Sequence, residues 1–361
     1  MNAEQLSRIK LQGYKSIKDC DLELKKLNVL IGANGAGKSN FISFFKLIQQ
    51  VLEGNLQRFV SKNGGPDSFL HFGRKKTEQL NAEVYFGEFG YKLSLEPTLD
   101  NRMMFANEGF FVPRKNKWLQ GSGHFESSID MEEYGNPKEY STAAKMRAWR
   151  VYHFHDTSET ALVKQLHAVN DNAFLRPDAR NLAAFLFFLQ NQHTEAYERI
   201  VKTIRLVAPF FGDFRLRRNP DNTDQIELEW SEIGEDFPFK AHQLSDGTLR
   251  FICLAVVFLQ PLELQPETII VDEPELGLHP FAISILASLI RSTSKENQVI
   301  VSTQSVTLLN EFEPEDIIVT DRKSGASVLR RIGKDELTQW LEEYTLGELW
   351  EKNILGGRPA R

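Results

Sequence analysis

The sequence predicts an α/β protein built around a parallel sheet. Three short, mainly apolar stretches carry that prediction: residues 27–31 (LNVLI), 268–271 (TIIV) and 298–302 (QVIVS). Continuous runs of this kind are strands covered on both faces. Each is followed by a segment with helical spacing of apolar residues, and strand–helix alternation is how parallel sheets are connected.

In chain order, residues 6–12 (LSRIKLQ) and 20–24 (CDLEL) alternate apolar with polar and read as half-buried strands. The strand over 27–31 runs through a glycine-rich turn into a helix over 40–54, and residues 80–96 read as a strand pair about Gly87–Gly90. Residues 98–145 are rich in Asn, Gly, Ser and charge, so loops with short elements are expected there. Residues 150–155 (RVYHFH) return to the sheet. A helix is expected over 178–207, with Pro177 near its start and Pro209 beyond its end. Residues 213–218 and 225–230 suggest a hairpin around 219–222. Next come a turn at Leu244, a helix, the strand at 268–271, a helix over 280–292 and the strand at 298–302. A strand at 317–320, a hairpin to Ile332 and a helix over 335–344 complete the order. This divides the chain into 1–97, a partly helical insertion or lid at 98–212, and 213–361.

With 361 residues, 41% hydrophobic and 25% charged, the chain is too apolar to be disordered and lacks the composition of a fibrous protein. A net charge of −6 argues against an all-over basic coat, though not against a local patch. Two cysteines, Cys20 and Cys253, make no disulfide framework and fit a reducing compartment. The N-terminus lacks a signal-peptide core, and the longest apolar run, 251–259, is about half of a membrane span. A cytoplasmic protein with no membrane partner is expected. The histidines, including His153 and His155, show no metal-ligand spacing.

Residues 32–39 read GANGAGKS and match G-x-x-x-x-G-K-[ST] at every fixed position, between a buried strand and a helix. Glycines let backbone N–H groups turn inward around phosphate oxygens, and the helix adds its positive end. The candidate phosphate ligands are Asn34, Gly35, Ala36, Gly37, Lys38, Ser39 and Asn40; Lys38 can bridge terminal phosphates and Ser39 can take one Mg²⁺ position. The strand at 268–271 ends in Asp272-Glu273, at the sheet edge where open α/β sheets bind ligands. Asp272 would hold Mg²⁺ through a water, and Glu273 would polarise the water that attacks a γ-phosphate. Ser245 and Gly247, in LSDGT, begin a helix 27 residues before Asp272, and a hydroxyl at a helix N-terminus suits an anion.

The series GANGAGKS, LSDGT, IIVDEPELGLHP resembles the Walker A, signature and Walker B–D-loop motifs of ABC-type ATPases. The opening IKLQGYKSIKDCDLEL is similar to the start of the RecF/SMC/Rad50 branch, and the chain looks closest to the AAA_21 or OLD-type ATPase domains. The resemblance covers 6–52 and 240–320 and implies an ABC-type P-loop core with a mixed or antiparallel β lobe. It also implies ATP and Mg²⁺ as cofactors, and an ATP-dependent homodimer in which Ser245 and Gly247 meet a nucleotide held by Lys38 of a second copy. Residues 276–278 match the D-loop at the dimer seam. A role in DNA repair or antiviral defence is implied, with DNA backbone or a separately encoded nuclease or effector as partner.

Departures follow. The family's switch histidine is replaced by Gln304, which can donate a hydrogen bond to a γ-phosphate but carries no proton, so slow turnover is expected. No Q-loop glutamine is assigned, Gln79 being considered and not adopted. Only 57 residues follow Gln304, too few for the TOPRIM nuclease often fused to such ATPases, and 98–240 lacks the heptads of a long coiled coil. Clusters Arg74-Lys75-Lys76, Arg215 with Arg217-Arg218, and Arg330-Arg331 read as solvated faces, or as a DNA track if two share a side. Two other readings stand beside the ATPase: an ATP-binding regulatory scaffold that hardly hydrolyses, and a transporter nucleotide-binding subunit.

Overall fold

A computed structural model describes residues 5–112, 117–128, 137–333 and 336–357. Strands β1 (Leu6–Tyr14), β2 (Ile17–Glu23), β4 (Leu80–Phe86), β5 (Phe89–Pro97), β6 (Met103–Val112) and β7 (Lys117–Gly121) form an antiparallel sheet in the order β2-β1-β4-β5-β6-β7. The second six-stranded sheet has the order β17-β16-β3-β15-β14-β8, built from β3 (Leu27–Ile31), β8 (Arg150–Tyr152), β14 (Thr268–Asp272), β15 (Gln298–Thr303), β16 (Ile317–Lys323) and β17 (Ala326–Arg331). All neighbours in it are parallel except the β16–β17 hairpin.

Helix α1 (Lys38–Leu52) lies between the two sheets, and the pleat explains why its neighbours are so apolar. Leu30, Ile270, Ile300 and Ile318 point toward α1 and the antiparallel sheet, while Val29, Ile31, Ile269, Val271, Val299, Val301, Ile317 and Val319 point to the opposite face. Phe41, Phe44 and Phe45 of α1 are fully buried, each contributing about 1.5–3 kcal/mol relative to exposure. The helices of the opposite face are α4 (Leu182–Gln192), α5 (Thr194–Val207), α6 (Asp246–Leu259) and α7 (Pro280–Thr293). Smaller elements complete the order: α2 (Leu56–Lys62), α3 (Pro137–Ala148), β9 (His167–Ala168), β10 (Phe211–Phe214), β11 (Gln225–Ile226), β12 (Glu229–Glu232), β13 (Phe239–Lys240), α8 (Val306–Leu309) and α9 (Leu346–Glu351).

Several expectations are corrected. The loops expected at 98–145 are largely strand and helix: β6 and β7 extend the antiparallel sheet, followed by α3. Buried Glu108 had masked β6 in the pattern; its carboxylate accepts from Tyr91 Oη at 2.7 Å, Ser127 Oγ at 2.7 Å and Ser128 N at 3.1 Å, and pairs with His124 Nε2 at 2.9 Å. The single helix expected over 178–207 starts later and is broken. Asn181, fully buried, bonds Arg176 N, Asp171 O and Phe174 O and holds a turn before Leu182, and His193 ends α4 and starts α5. The hairpin expected over 213–218 and 225–230 is present, with Phe214 opposite Trp230, Arg218 opposite Ile226 and Asn219 N donating to Gln225 O at 2.8 Å, and β11 also pairs with β9. Of the helix expected over 335–344, Asp335 lies outside the described residues and the rest holds only a 3₁₀ turn, Trp340–Glu342; the helix is α9, started by a Thr345–Glu348 capping box.

Candidate functional site

Parallel pairing puts the carboxyl ends of β3, β15, β14 and β8 along one edge, with Ile31 beside Thr303 and Asp272 beside Ser302. The loop after β3 passes into α1, whose first turn has no preceding helical carbonyls for its N–H groups. Two glycines there are demanded by close approach. A Cβ on Gly32 would collide with the Thr320 carbonyl of β16. One on Gly37, at a φ of 119°, would strike Ser327 Oγ. Gly35, at a φ of 79°, is the opposite case: nothing lies within 4 Å of where its Cβ would be, so the loop is open on that side. Lys38 is buried, and its Nζ donates to Gly32 O at 2.6 Å and Ala33 O at 3.3 Å. Burial lowers its pKa, opposed by the carboxylates of Glu273, Asp272 and Glu275. Ser39 is exposed, and Asn40 Nδ2 donates to Ser16 Oγ at 2.6 Å.

Across the edge, three carboxylates bond three successive residues at the end of β15. Asp272 Oδ1 accepts from Ser302 Oγ, and Glu273 Oε1 accepts from Gln304 Nε2. Glu275 Oε1 accepts from Thr303 Oγ1 at 2.6 Å and from Gln304 N at 3.0 Å. Glu273 holds a left-handed φ of 46°, a strained conformation for a non-glycine residue and one that recurs at functional sites. Glu275, absent from the sequence-level candidates, has its second oxygen buried without a partner; burial raises its pKa, and the Glu273 charge adds to the shift. The DEPE spacing was the available signal. Ser39 and Asp272 offer the hard oxygen donors that suit Mg²⁺, one hydroxyl exposed and one carboxylate oxygen free of Ser302. Among the described residues, no group of three or more His, Cys, Asp or Glu side chains is placed to hold a metal ion unaided.

The signature turn lies farther along the surface. Ser245 caps α6, its Oγ accepting from Thr248 N at 3.1 Å, and is exposed. The Ser245 hydroxyl also meets Thr248 Oγ1 at 2.8 Å, and Gly247 packs on the D-loop, where a Cβ would sit 2.5 Å from Gly277 O. Leu276 and Phe281 beside it are 43% and 57% exposed, which leaves an apolar rim around that turn. His279 caps α7, accepting from Phe281 N at 3.3 Å, a structural duty.

With this arrangement in view, comparison with known proteins is decisive. Residues 27–310 match the family AAA_21, described as "AAA domain, putative AbiEii toxin, Type IV TA system". The chain belongs to the AAA_21 family. It is 22% identical over 376 residues to the OLD nuclease of Thermus scotoductus, covering 95% of this chain and 67% of that protein. It is 23% identical over 384 residues to the Old nuclease of Escherichia phage P2, covering 93% and 62% respectively. The chain thus spans about two thirds of the length of the curated relatives it matches. Its fold is similar to an Smc head domain from Pyrococcus furiosus, solved with an extended coiled coil and bound to the C-terminal domain of ScpA. That match has a TM-score of 0.59 at 15% identity and covers 94% of this chain and 98% of the other. The architecture is therefore that of an ABC-class, SMC-like ATPase domain.

Two residues outside the sequence-level site candidates border these elements. The strand beside the Asp272 strand is β8, and it is followed by His153, whose Nδ1 lies 4.0 Å from Asp272 Oδ2. Gln79, considered for the Q-loop, instead precedes β4 in the other sheet, its carbonyl against Gly13. Burial lowers the His153 pKa, aided by His155 and Lys46 and opposed by Asp272 and Glu273. Arg250 is the second. It ties three segments by donating to Phe154 O at 3.1 Å, His155 O at 3.0 Å, Thr157 Oγ1 at 3.1 Å and Leu276 O at 3.2 Å.

The arginines of the basic clusters are engaged locally, Arg218 donating to Thr223 O at 3.1 Å. Arg74 pairs with Asp67, Arg215 with Asp236, Arg217 with Glu229 and Arg330 with Glu336. Arg331 donates to Glu315 O and Asn28 Oδ1. Among the described residues, no helix is long and apolar enough to cross a membrane.

Proposed function

We propose that this chain is an Mg²⁺-dependent ATP hydrolase that closes into a homodimer around ATP and turns over slowly. We further propose that it couples its nucleotide state to a nuclease or effector, as in defence against foreign DNA or DNA repair. The observation that carries the reading is the row Asp272, Glu273 and Glu275, held by Ser302, Thr303 and Gln304 opposite the open loop of Lys38 and Ser39. The backbone of 34–40 would bind the phosphates, with Lys38 leaving the Gly32 and Ala33 carbonyls to meet the terminal phosphate. Ser39 and Asp272 would hold Mg²⁺, which offsets phosphate charge. Glu273, aimed by Gln304, would accept the proton of the attacking water, and Gln304 would sense the γ-phosphate through the same amide. Ser245 and Gly247 would reach the nucleotide of a second copy, since one chain leaves Ser245 exposed and Gly247 half-buried beside the apolar rim of Leu276 and Phe281. The nuclease names of the OLD relatives support a nuclease connection for this chain as well.

The test is the Glu273→Gln protein in saturating Mg-ATP, sized by light scattering, with Lys38→Ala as the control that loses nucleotide. A dimer that retains ATP is the expected result. A Glu273→Gln protein that binds ATP and stays monomeric refutes the homodimer. A second reading, an ATP-binding scaffold with little hydrolysis, is favoured by the neutral Gln304 amide at the switch position. Phosphate release equal in wild type and Glu273→Gln would select it.

A further inference from the structure

A cavity of about 520 Å³ opens beside β8, the edge strand of the second sheet, between the later part of α1, α2 and the segments around His153 and Pro177. That volume lies within the range of about 300–1,000 Å³ in which proteins hold small ligands. Phe59, Val151 and Pro177 supply an apolar wall, and His153 N donates to Pro177 O at 3.1 Å, which ties two segments of that wall together. The charged lining is mainly cationic: Lys46 comes from α1, and Arg58 and Lys62 come from α2.

These three cations differ from the arginines on the rest of the surface. Arg74, Arg215, Arg217 and Arg330 each have a carboxylate partner. Among the described residues, the side chains of Lys46, Arg58 and Lys62 have neither an ion pair nor a hydrogen bond. The acids nearby are engaged elsewhere. Asp178, which also lines the cavity, accepts from Arg180 Nη2 at 2.5 Å. Glu53, at the end of α1, accepts from Gln49 Nε2 at 3.2 Å and Gln50 Nε2 at 2.8 Å. Arg58 and Lys62 stand four residues apart on one helix, so their like charges are neighbours and disfavour α2. Lys46 is half-buried, and the lost hydration lowers its pKa, with Asp272 opposing. Cations of one sign gathered at a concave surface repel one another and focus a field that attracts anions.

We propose that this cavity is a second anion site, separate from the phosphate loop, for a phosphomonoester of about nucleotide size. Lys46, Arg58 and Lys62 hold the phosphate, and the wall of Phe59, Val151 and Pro177 receives the uncharged part. A free nucleotide and the 5′-phosphate end of a single strand carry the same chemistry. The experiment measures binding of thymidine 5′-monophosphate, thymidine, and a short oligothymidylate with and without a 5′-phosphate. In Lys38→Ala, where the phosphate loop no longer competes, the Kd for the monophosphate should stay within about twofold of wild type, and thymidine should not bind. In the double variant Arg58→Glu with Lys62→Glu, that Kd should rise at least about tenfold. Arg58→Gln with Lys62→Gln should weaken binding too without lowering Tm, because the repulsion along α2 is gone. A phosphorylated strand that binds more tightly than the monophosphate supports the site with a strand end as its source; equal or weaker binding supports it with a free nucleotide. Monophosphate binding that vanishes in Lys38→Ala but survives both double variants overturns the proposal, as does its absence from wild type. An oligothymidylate that binds equally with and without its 5′-phosphate overturns it as well. Loss of Mg-ATP binding by wild type would refute the ATP reading and leave this site standing.

Discussion

Arg250→Ala separates the signature helix from the two segments that Arg250 staples to it. The guanidinium makes four hydrogen bonds, three to backbone carbonyls in the 154–155 segment and the D-loop and one to Thr157. A bond from a charged donor is each about 1.5–3 kcal/mol to lose when the acceptor is left buried. Arg250 is only half-buried and its four bonds share one side-chain placement, so water recovers part of the sum and about 3 kcal/mol is the expected net cost. For 361 residues at about 2.1 cal/mol/K each, the unfolding entropy is about 0.8 kcal/mol/K, so Tm should fall by about 4 °C. Differential scanning calorimetry reads that shift, and phosphate release reads the function. Turnover should fall further than stability accounts for, because Ser245 and Gly247 lose their fixed position against the D-loop. Arg250→Lys, which can reach only one or two of the acceptors, should fall between. An unchanged Tm refutes the staple, and an unchanged turnover with a lowered Tm shows it to be purely structural.

Two further outcomes follow from the site. Ser245→Arg should leave ATP binding by the monomer within about twofold but cut turnover at least about tenfold, the scale of losing one pre-placed donor; turnover at the wild-type rate would remove the signature turn from the reaction. Glu275→Gln should flatten the acid-side stability profile. Burial holds the Glu275 pKa above the ordinary 4.5, so its stabilising protonated form is complete below 4.5 and is lost as pH rises through the folded value. The glutamine has no such loss, and unfolding curves from pH 4 to 7 that run parallel in both proteins would contradict this.

Legibility in the sequence followed the range of the interactions involved. GANGAGKS and DEPE are contiguous and each follows a continuously apolar strand, so the loop, Lys38, Ser39, Asp272 and Glu273 were readable in place. Gln304 was readable as a departure, and the structure adds its bond to Glu273. His153 was seen only as one histidine of a strand, because its meaning depends on β8 lying beside β14 more than a hundred residues away. The break at His193 has neither glycine nor proline to announce it. β6 was hidden by Glu108, a carboxylate that belongs in the interior only because Tyr91, His124 and the 127–128 turn converge on it.

What could be deduced from order and spacing alone was the chemistry of phosphate binding and the α/β class. Both depend on neighbours in the chain: glycines that free consecutive N–H groups, and apolar runs whose period matches one element. Which carboxylates share a row and which histidine stands beside Asp272 were settled by packing between distant segments. Such contacts depend on strand order and on the close approach of backbones, as at Gly32 against Thr320 and Gly37 against Ser327. Residue type and local period carry no record of either.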